Sequence, residues 1–382
     1  MIYYGKQSID DSDVRAVEEV LRSDFLTQGP AIERFERRVA EYCGARYAVA
    51  VTNATSALHI GCLALGLTEG DLLWTSPITF VASANCARYC GADVGFVDID
   101  DQTYNMSVDA LEQKLRSTDR VPKVVVPVHL AGQSCDMERI HDLAKRYGFA
   151  VMEDASHAVG ADYKGGKVGS CRYSDLTVFS FHPVKIITTG EGGMLLTNDA
   201  ELYEKLRLYR SHGITRDPKL MTHAADGPWY YQQIDLGFNY RMTDIQAALG
   251  CSQMERLDEF VARRRYLAAR YDELLKDLPL RTPYQSADTD SSWHLYVVRM
   301  DRDRIGKSKA QIFDEMRARG VTLNLHYIPV HTQPYYERLG HRAEECPSAM
   351  GYYAEAFTLP LYYRLTDDQQ DFVVENLKAV LT

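Results

Sequence analysis

Short runs of consecutive apolar residues recur between residues 40 and 200, separated by segments with helical periodicity. The runs are rich in valine and continuous rather than alternating, which is typical of parallel strands covered on both faces. The predicted strands are residues 47–51, 71–75, 94–97, 124–128, 150–152 and 176–181. This pattern predicts an α/β fold built on a mostly parallel sheet.

The pattern changes after residue 242, where a capping box opens a long helical stretch. Thr243 and Gln246 form the box, and Pro279 is expected to stop the helix near residue 278. Two further boxes, at 308–311 and 366–369, accompany strand-like runs at 294–300 and 322–328. We therefore expect a large domain over residues 1–242 and a smaller C-terminal α/β domain over residues 243–382.

Composition excludes several classes of protein. The 382 residues include 43 Lys and Arg against 53 Asp and Glu, a net charge of −10, so no nucleic-acid partner is expected. No apolar run is long enough for a membrane span and the first residues lack a signal-peptide pattern, so we expect a cytoplasmic protein with no membrane partner. The eight cysteines are scattered, and the close pair Cys86 and Cys90 lacks the second pair of a zinc site.

Lys185 stands between a predicted strand and a turn rich in threonine and glycine, in FSFHPVKIITTGEGG at 179–193. A desolvated lysine at a rigid strand end keeps some neutral amine and can form a Schiff base with pyridoxal 5'-phosphate. Upstream, the strand at 150–152 runs into Asp154. A buried carboxylate there would keep a pyridine nitrogen protonated, and a protonated ring is the electron sink of amino-group chemistry. Together the two residues predict a pyridoxal-phosphate site.

The segment 52–58 follows the first strand and opens an apolar helix. Its backbone amides and hydroxyls would face an anion at the positive end of that helix, which suits a phosphate ester. An ordinary helix N-cap explains the same residues when they are considered alone. Ser180 offers a second hydroxyl to the same phosphate.

Two rings are candidates for contact with a flat cofactor. Phe80 follows the second strand and could stack on the cofactor ring, although most such phenylalanines belong to the core. His157 lies three residues past Asp154 and could touch the other face of the cofactor or its phenolic oxygen, although a lone histidine is more often structural. The segment 237–241 combines a glycine, an amide and a cation, and it also fits a turn followed by a helix cap.

Six motifs in this order resemble the DegT/DnrJ/EryC1/StrS family of fold-type I, pyridoxal-phosphate-dependent sugar aminotransferases. The resemblance extends over essentially the whole chain. The motifs are LTQGP at 26–30, NATSAL at 53–58, PITFVASAN at 77–85, EDASHAVGA at 153–161, FSFHPVKIITTGEGG at 179–193 and GFNYRMTDIQAALG at 237–250. Related sugar 3-dehydratases carry histidine in place of the lysine, so the presence of Lys185 favours transamination.

The resemblance implies a role for each matching residue. Lys185 would be the Schiff-base lysine and proton shuttle, Asp154 the partner of the pyridine nitrogen, and Phe80 the stacking ring. The implied phosphate ligands are Ala54, Thr55 and Ser180. Asn239 would reach into the neighbouring subunit's site, which implies a homodimer with shared active sites.

The resemblance also implies a substrate. Within the family, the HPVKIITTGEGG form and the segment NLHYIPVH at 324–331 are most similar to enzymes that aminate C4 of a sugar nucleotide in pseudaminic acid biosynthesis. We therefore expect a UDP-linked 4-keto-6-deoxy-N-acetylhexosamine as substrate and, by family inference, glutamate as amino donor. The implied sugar-nucleotide contacts are Tyr4, Asp24, Phe25, Leu26, Thr27, Ser56, Asn324, Leu325, His326 and Tyr327. Arg241 and His326 are the candidates for binding the donor's carboxylate.

Two alternatives stay open. The nearest is an aminotransferase acting at C3 or C4 of another nucleotide sugar, linked to dTDP or GDP. An alternative of another class is a non-catalytic regulator on the same fold, since a fold does not determine a function. Retention of both Lys185 and Asp154 argues against the regulator, as does an acidic chain with no evident DNA-reading helix.

Overall fold

The computed structural model describes residues 1–381. Its strands are β1 (Tyr47–Val51), β2 (Leu72–Thr75), β3 (Asp93–Phe96), β4 (Val124–Val126), β5 (Ala150–Asp154), β6 (Asp162–Tyr163), β7 (Gly166–Lys167), β8 (Leu176–Ser180), β9 (Gly193–Thr197), β10 (Ile214–Thr215), β11 (Gln232–Gln233), β12 (Leu280–Arg281), β13 (Thr289–Asp290), β14 (Tyr296–Met300) and β15 (Ala356–Leu359).

Thirteen helices are described in the same residues. They are α1 (Asp11–Leu21), α2 (Pro30–Cys43), α3 (Ala54–Ala64), α4 (Ala82–Tyr89), α5 (Val108–Ser117), α6 (Met137–Tyr147), α7 (Ala200–Arg210), α8 (Asp244–Met254), α9 (Leu257–Leu275), α10 (Lys309–Ala318), α11 (Pro334–Arg338), α12 (Pro347–Glu355) and α13 (Asp367–Leu381).

A seven-stranded sheet forms the centre of the N-terminal part, in the order β1-β9-β8-β5-β4-β2-β3. Strand β9 runs antiparallel to both of its neighbours, and the other strands are parallel to one another. Helices α3 and α4 pack on one face, whereas α2, α5, α6 and α8 pack on the other. The predicted α/β class and mostly parallel sheet are confirmed.

The predicted elements match the structure closely where the apolar runs are continuous. All six predicted strands are present, with ends shifted by three residues or fewer. The capping box at Thr243 and Gln246 opens α8, as predicted. The helical stretch is broken, however, because α8 ends at Met254 and α9 begins at Leu257.

The predicted strand at residues 322–328 is wrong. In the structure this segment contributes an isolated bridge, between Asn324 and Thr358, rather than a strand. The Asn324 side chain accepts a hydrogen bond from the Leu325 amide at 2.9 Å. That local bond competes with ladder formation, and the segment becomes an irregular wall beside the large sheet.

The C-terminal part has its own antiparallel sheet, in the order β12-β14-β15, and its own apolar core with α9, α10 and α13. The domain boundary at residues 242 and 243 stays a prediction. Core packing favours a boundary inside α9, because Val261 belongs to a core of the large sheet and Leu267 to the C-terminal core. No helix within residues 1–381 combines the length and apolarity needed to cross a membrane.

Candidate active site

A cavity of about 520 Å³ lies beyond the carboxyl ends of β1, β5 and β8. This is the edge at which parallel sheets collect ligands. The predicted site residues that line it are Tyr4, Ala54, Thr55, Phe80, Asp154, His157, Ser180, Lys185, Asn324, Leu325, His326 and Tyr327. They come from segments far apart in the sequence, and the fold brings them into one pocket.

Lys185 lines the cavity on the turn that follows β8. Its backbone amide donates to the His182 carbonyl at 2.9 Å, which holds the turn in place. Burial lowers the pKa of Lys185 to about 8, although the nearby Asp154 carboxylate opposes the shift. Roughly a tenth of the amine is therefore neutral at pH 7, and the neutral amine is the form that carbonyl chemistry requires.

Asp154 is buried at the end of β5 with both carboxylate oxygens bound. Its Oδ2 accepts a hydrogen bond from Ser83 Oγ at 2.6 Å, and its Oδ1 accepts one from the Ser156 amide at 3.1 Å. Each oxygen of an ionised carboxylate has a second lone pair, so the group can still accept a proton donor from the cavity. This carboxylate fits the protonated nitrogen of a pyridine ring.

The start of α3 forms the other end of the cavity. Its first backbone amides, at Ala54 and Thr55, have no acceptor inside the helix and sit at its positive end. Gly193 pairs with Val51 on one side and Ser180 on the other, bringing the Ser180 hydroxyl to the same place. A Cβ at Gly193 would lie only 2.5 Å from the Asn53 carbonyl carbon, so the close approach depends on glycine. Amides and hydroxyls around an anion-sized space fit a phosphate ester.

Phe80 is 59% exposed at the cavity, with its ring centroid 6.4 Å from that of Tyr327. A phenylalanine of the core would be buried, so the alternative interpretation of Phe80 as a core residue is wrong. Its exposed face is available for stacking on a flat ring.

His157 is fully engaged by the protein. Its Nδ1 accepts a hydrogen bond from the Ala131 amide at 3.2 Å, and burial keeps the pKa of His157 well below its usual range. The proton of the neutral ring is therefore on Nε2, which donates to the Tyr327 hydroxyl at 3.0 Å. A bond from His157 to the cofactor's phenolic oxygen would replace one of these two, and contact through the ring face would keep both, so both predicted contacts of His157 stay predictions.

His326 is also neutral, because burial lowers its pKa to about 3. Asn324 Nδ2 donates to His326 Nε2 at 3.3 Å, and His326 Nδ1 then donates to Thr358 Oγ1 at 2.8 Å. A neutral imidazole with both nitrogens bonded offers no cation to a carboxylate. In this form His326 offers hydrogen bonds rather than a positive charge, and its role toward the amino donor's carboxylate stays a prediction.

The remaining predicted residues do not line this cavity within their own chain. Ser56 is turned into the helix cap, where its hydroxyl donates to Asn53 Oδ1 at 3.0 Å. Arg241 lines a separate cavity of about 670 Å³ that also contains Glu36 and Arg210. The others that lie outside are Asp24, Phe25, Leu26, Thr27 and Asn239.

Those outside residues, apart from Ser56, lie in two segments, residues 24–27 and residues 239–241. The segments approach each other where Thr27 bridges to Thr243, and residues 239–241 also bridge to Ser211 and Val51. Asn239 is exposed, and the neighbouring apolar side chains Phe25 and Leu26 are about half exposed. We name this the outer strip: residues 24–27 and 239–241.

The cavity also contains residues that the sequence analysis missed. His294 is 3% exposed, lines the cavity and has its ring centroid 4.5 Å from that of His157. Its buried Nδ1 has no hydrogen-bond partner within residues 1–381. Ser83, the donor to Asp154, was missed too. No group of three or more His, Cys, Asp or Glu side chains in residues 1–381 is arranged to hold a metal ion.

A family model confirms the class of protein that this site defines. The model of the DegT/DnrJ/EryC1/StrS aminotransferase family matches residues 7–378, and the chain belongs to that family. The protein is accordingly a sugar aminotransferase that uses pyridoxal 5'-phosphate.

Two curated relatives are similar over almost their whole length. SpsC, a spore coat polysaccharide biosynthesis protein of Bacillus subtilis, is 38% identical over 99% of this chain and 96% of its own. The UDP-4-amino-4,6-dideoxy-N-acetyl-beta-L-altrosamine transaminase of Campylobacter jejuni is 35% identical over 100% of this chain and 98% of its own.

Solved structures share the fold. PseC of Helicobacter pylori, an aminotransferase of pseudaminic acid biosynthesis, superposes with a TM-score of 0.91 at 31% identity, covering 100% of this chain and 99% of PseC. Spr1654 of Streptococcus pneumoniae, a candidate sugar aminotransferase solved in its pyridoxamine-phosphate form, gives 0.90 at 30% identity over 99% of this chain and 98% of its own. It has also been solved with pyridoxal phosphate.

Proposed function

We propose that this aminotransferase converts a UDP-linked 4-keto-6-deoxy-N-acetylhexosamine into its 4-amino sugar, with glutamate as amino donor. One observation carries the aminotransferase chemistry: Lys185, whose pKa is lowered by burial, and Asp154, whose carboxylate accepts two hydrogen bonds, line the same cavity. The substrate is supported by likeness to the Campylobacter transaminase and to PseC.

The bound cofactor supplies an aldehyde and a protonated ring that withdraws electrons. Lys185 would hold the cofactor covalently between turnovers and would carry a proton to and from the reacting carbon. Asp154 would keep the proton on the ring nitrogen. Phe80 would cover one face of the ring and exclude water from it.

The polar wall of the cavity suits a sugar rather than an amino acid side chain. Tyr4, Asn324 and Tyr327 place neutral hydrogen-bonding groups there. His157 donates to Tyr327, so the Tyr327 hydroxyl proton is free to donate to a ligand oxygen. A wrong sugar epimer would leave one such buried group unpaired, at about 1 to 3 kcal/mol.

The proposed enzyme is a homodimer with shared active sites. The outer strip carries the predicted ligand contacts that do not line the cavity of their own chain, and its residues Phe25, Leu26 and Asn239 are exposed. A two-fold partner would bring the strip of one subunit to the cavity of the other, with Asn239 at the cofactor phosphate. Arg241, which has no anion partner within residues 1–381, stays a candidate for binding the donor's carboxylate.

Likeness to SpsC supports a second candidate function, an aminotransferase acting on another nucleotide sugar. Product analysis distinguishes the two. The purified enzyme would be given glutamate and a panel of 4-keto and 3-keto sugars linked to UDP, dTDP or GDP, and the products read by NMR. We expect an amino group at C4 of the UDP-linked N-acetyl sugar. Amination only at C3, or a clear preference for a dTDP or GDP sugar, would reject this substrate and leave the aminotransferase class standing.

A further inference from the structure

At the N-terminal end of helix α4, two hydrogen-bonded hydroxyl groups lead to the carboxylate of Asp154. Ser83 Oγ lies 2.6 Å from Asp154 Oδ2, and Thr79 Oγ1 lies 2.7 Å from Ser83 Oγ. All three side chains are buried, with exposed fractions of 0% for Ser83, 2% for Thr79 and 5% for Asp154. The hydroxyl of Ser83 and the hydroxyl of Thr79 each have a hydrogen-bond partner in the protein, so neither requires a substrate or cofactor contact.

The direction of each hydrogen bond follows from the acceptor at the end of the chain. An ionised carboxylate can only accept, so Ser83 donates its single hydroxyl proton to Asp154. Ser83 then has no proton for Thr79, and Thr79 must donate to Ser83. A donor that itself accepts a hydrogen bond is polarised and binds its acceptor more strongly.

We propose that Ser83 is a positioning residue for the ring-nitrogen partner and that Thr79 acts through it. Ser83 and the Ser156 amide hold the two oxygens of Asp154, which fixes the plane of the carboxylate relative to the cavity. The lone pairs left over then point in a fixed direction. Phe80 lies between Thr79 and Ser83 in the chain, so one turn carries both the exposed stacking ring and the group that orients Asp154.

This inference rests on the proposed role of Asp154, and it makes a graded prediction. Without this hydrogen bond the Asp154 carboxylate can rotate away from the ring nitrogen, so Ser83→Ala should lower kcat roughly tenfold to a hundredfold. KM for the sugar should change by less than about threefold, because Ser83 does not contact the substrate. Ser83→Thr keeps the hydroxyl and should restore most of kcat. Thr79→Val should have a smaller effect than Ser83→Ala.

The test compares these variants with Ser134→Ala as holoenzymes. Ser134 is a matched control, since its buried hydroxyl donates to the Cys135 carbonyl at 2.9 Å and does not line the cavity. Besides kcat and KM, the visible absorption of the bound cofactor is titrated with pH, because its protonation reports on the group at the ring nitrogen. We expect the titration midpoint to move in Ser83→Ala and to stay in Ser134→Ala.

Asp154→Asn separates failure of this inference from failure of the proposed function. In one outcome, Asp154→Asn has a lower kcat and a shifted titration midpoint while Ser83→Ala matches Ser134→Ala in both quantities. That result overturns the positioning role of Ser83. If Asp154→Asn itself has wild-type kcat and spectrum, the proposed role of Asp154 fails, and the inference fails with it. A shift of the titration midpoint in Ser83→Ala that is also present in Ser83→Thr would count against a role for the Ser83 hydroxyl.

Discussion

At the scale of single residues, burial favours the neutral form of the nitrogen bases around the cavity. The pKa of Lys185 falls to about 8, that of His326 to about 3, and that of His157 to well below its usual range. Of these three, Lys185 is the base whose proton is gained and lost near working pH. The two histidines act as fixed neutral hydrogen-bonding groups.

Cofactor loading should therefore depend on pH through Lys185. Only the neutral amine attacks an aldehyde, so the rate at which cofactor-free enzyme takes up pyridoxal phosphate should rise with pH and level off above about pH 8. Stopped-flow absorbance between about pH 7 and about pH 9 measures this rate. Pyridoxamine phosphate, which forms no bond to the lysine, is the control and should show no such rise. An equal pH profile for the two compounds would contradict the role of Lys185.

Functional residues could be predicted from the sequence where a chemically suitable side chain lies at or just after the end of a predicted strand. Asp154 ends a strand and Lys185 lies on the turn that follows one, so the sequence alone indicates that both face the ligand edge of a parallel sheet. Ser83 and His294 carry no such signal. A serine inside an apolar helix resembles a small core residue, and His294 reaches the cavity only through packing between the two sheets.

At the scale of elements, apolar runs identified the buried parallel strands and the antiparallel strand β14, but they did not reveal β9. Strand β9 was missed because it follows the glycine-rich turn so closely and closes the sheet in the antiparallel direction. The segment 322–328 has strand-forming residues, but the side chain of Asn324 bonds locally to the Leu325 amide. For β9 the strand partners decide the structure, and for 322–328 a local side-chain bond does, and the pattern of apolar residues contains neither.

The start of α3 and the start of β9 should act as one phosphate-binding unit. A methyl group at Gly193 would lie 2.5 Å from the Asn53 carbonyl carbon and 2.7 Å from the Ala54 nitrogen, so Gly193→Ala must displace the first turn of α3. We expect its dissociation constant for pyridoxal phosphate to rise at least about tenfold. Gly306→Ala is the control, because nothing lies within 4 Å of the added methyl group. Equal cofactor affinity in the two variants, both folded by circular dichroism, would show that this approach does not shape the phosphate site.

At the scale of the whole molecule, one chain holds an incomplete set of the predicted ligand contacts. The cavity contains the predicted catalytic groups, whereas the outer strip contains Asn239 and Arg241. Sequence motifs associate all of these residues with one function, but residue chemistry alone does not show whether one subunit or two supply them. That assignment depends on subunit geometry.

Mixed dimers test the assignment. Lys185→Ala and Asn239→Ala subunits should each be strongly impaired alone, for loss of the amine and of the phosphate contact. In a mixed dimer one site has both defects, and the other combines an intact Lys185 with an intact Asn239 from the partner. Activity should therefore reappear after subunit exchange, as one sound site per mixed dimer. No recovery after verified exchange would place Asn239 in the site of its own chain or show it to be dispensable.

The most direct test of the central claim is a single half-reaction. Enzyme carrying pyridoxamine phosphate is mixed with the 4-keto-6-deoxy UDP-N-acetyl sugar and no amino donor, and the amino sugar formed is counted per active site. We expect one 4-amino sugar per site, with the cofactor returned to its aldehyde form, and no such turnover when Lys185→Ala is loaded in the same way. Substantial amino sugar formation by Lys185→Ala, or none by the wild-type enzyme with any keto sugar nucleotide of the panel, would contradict the account.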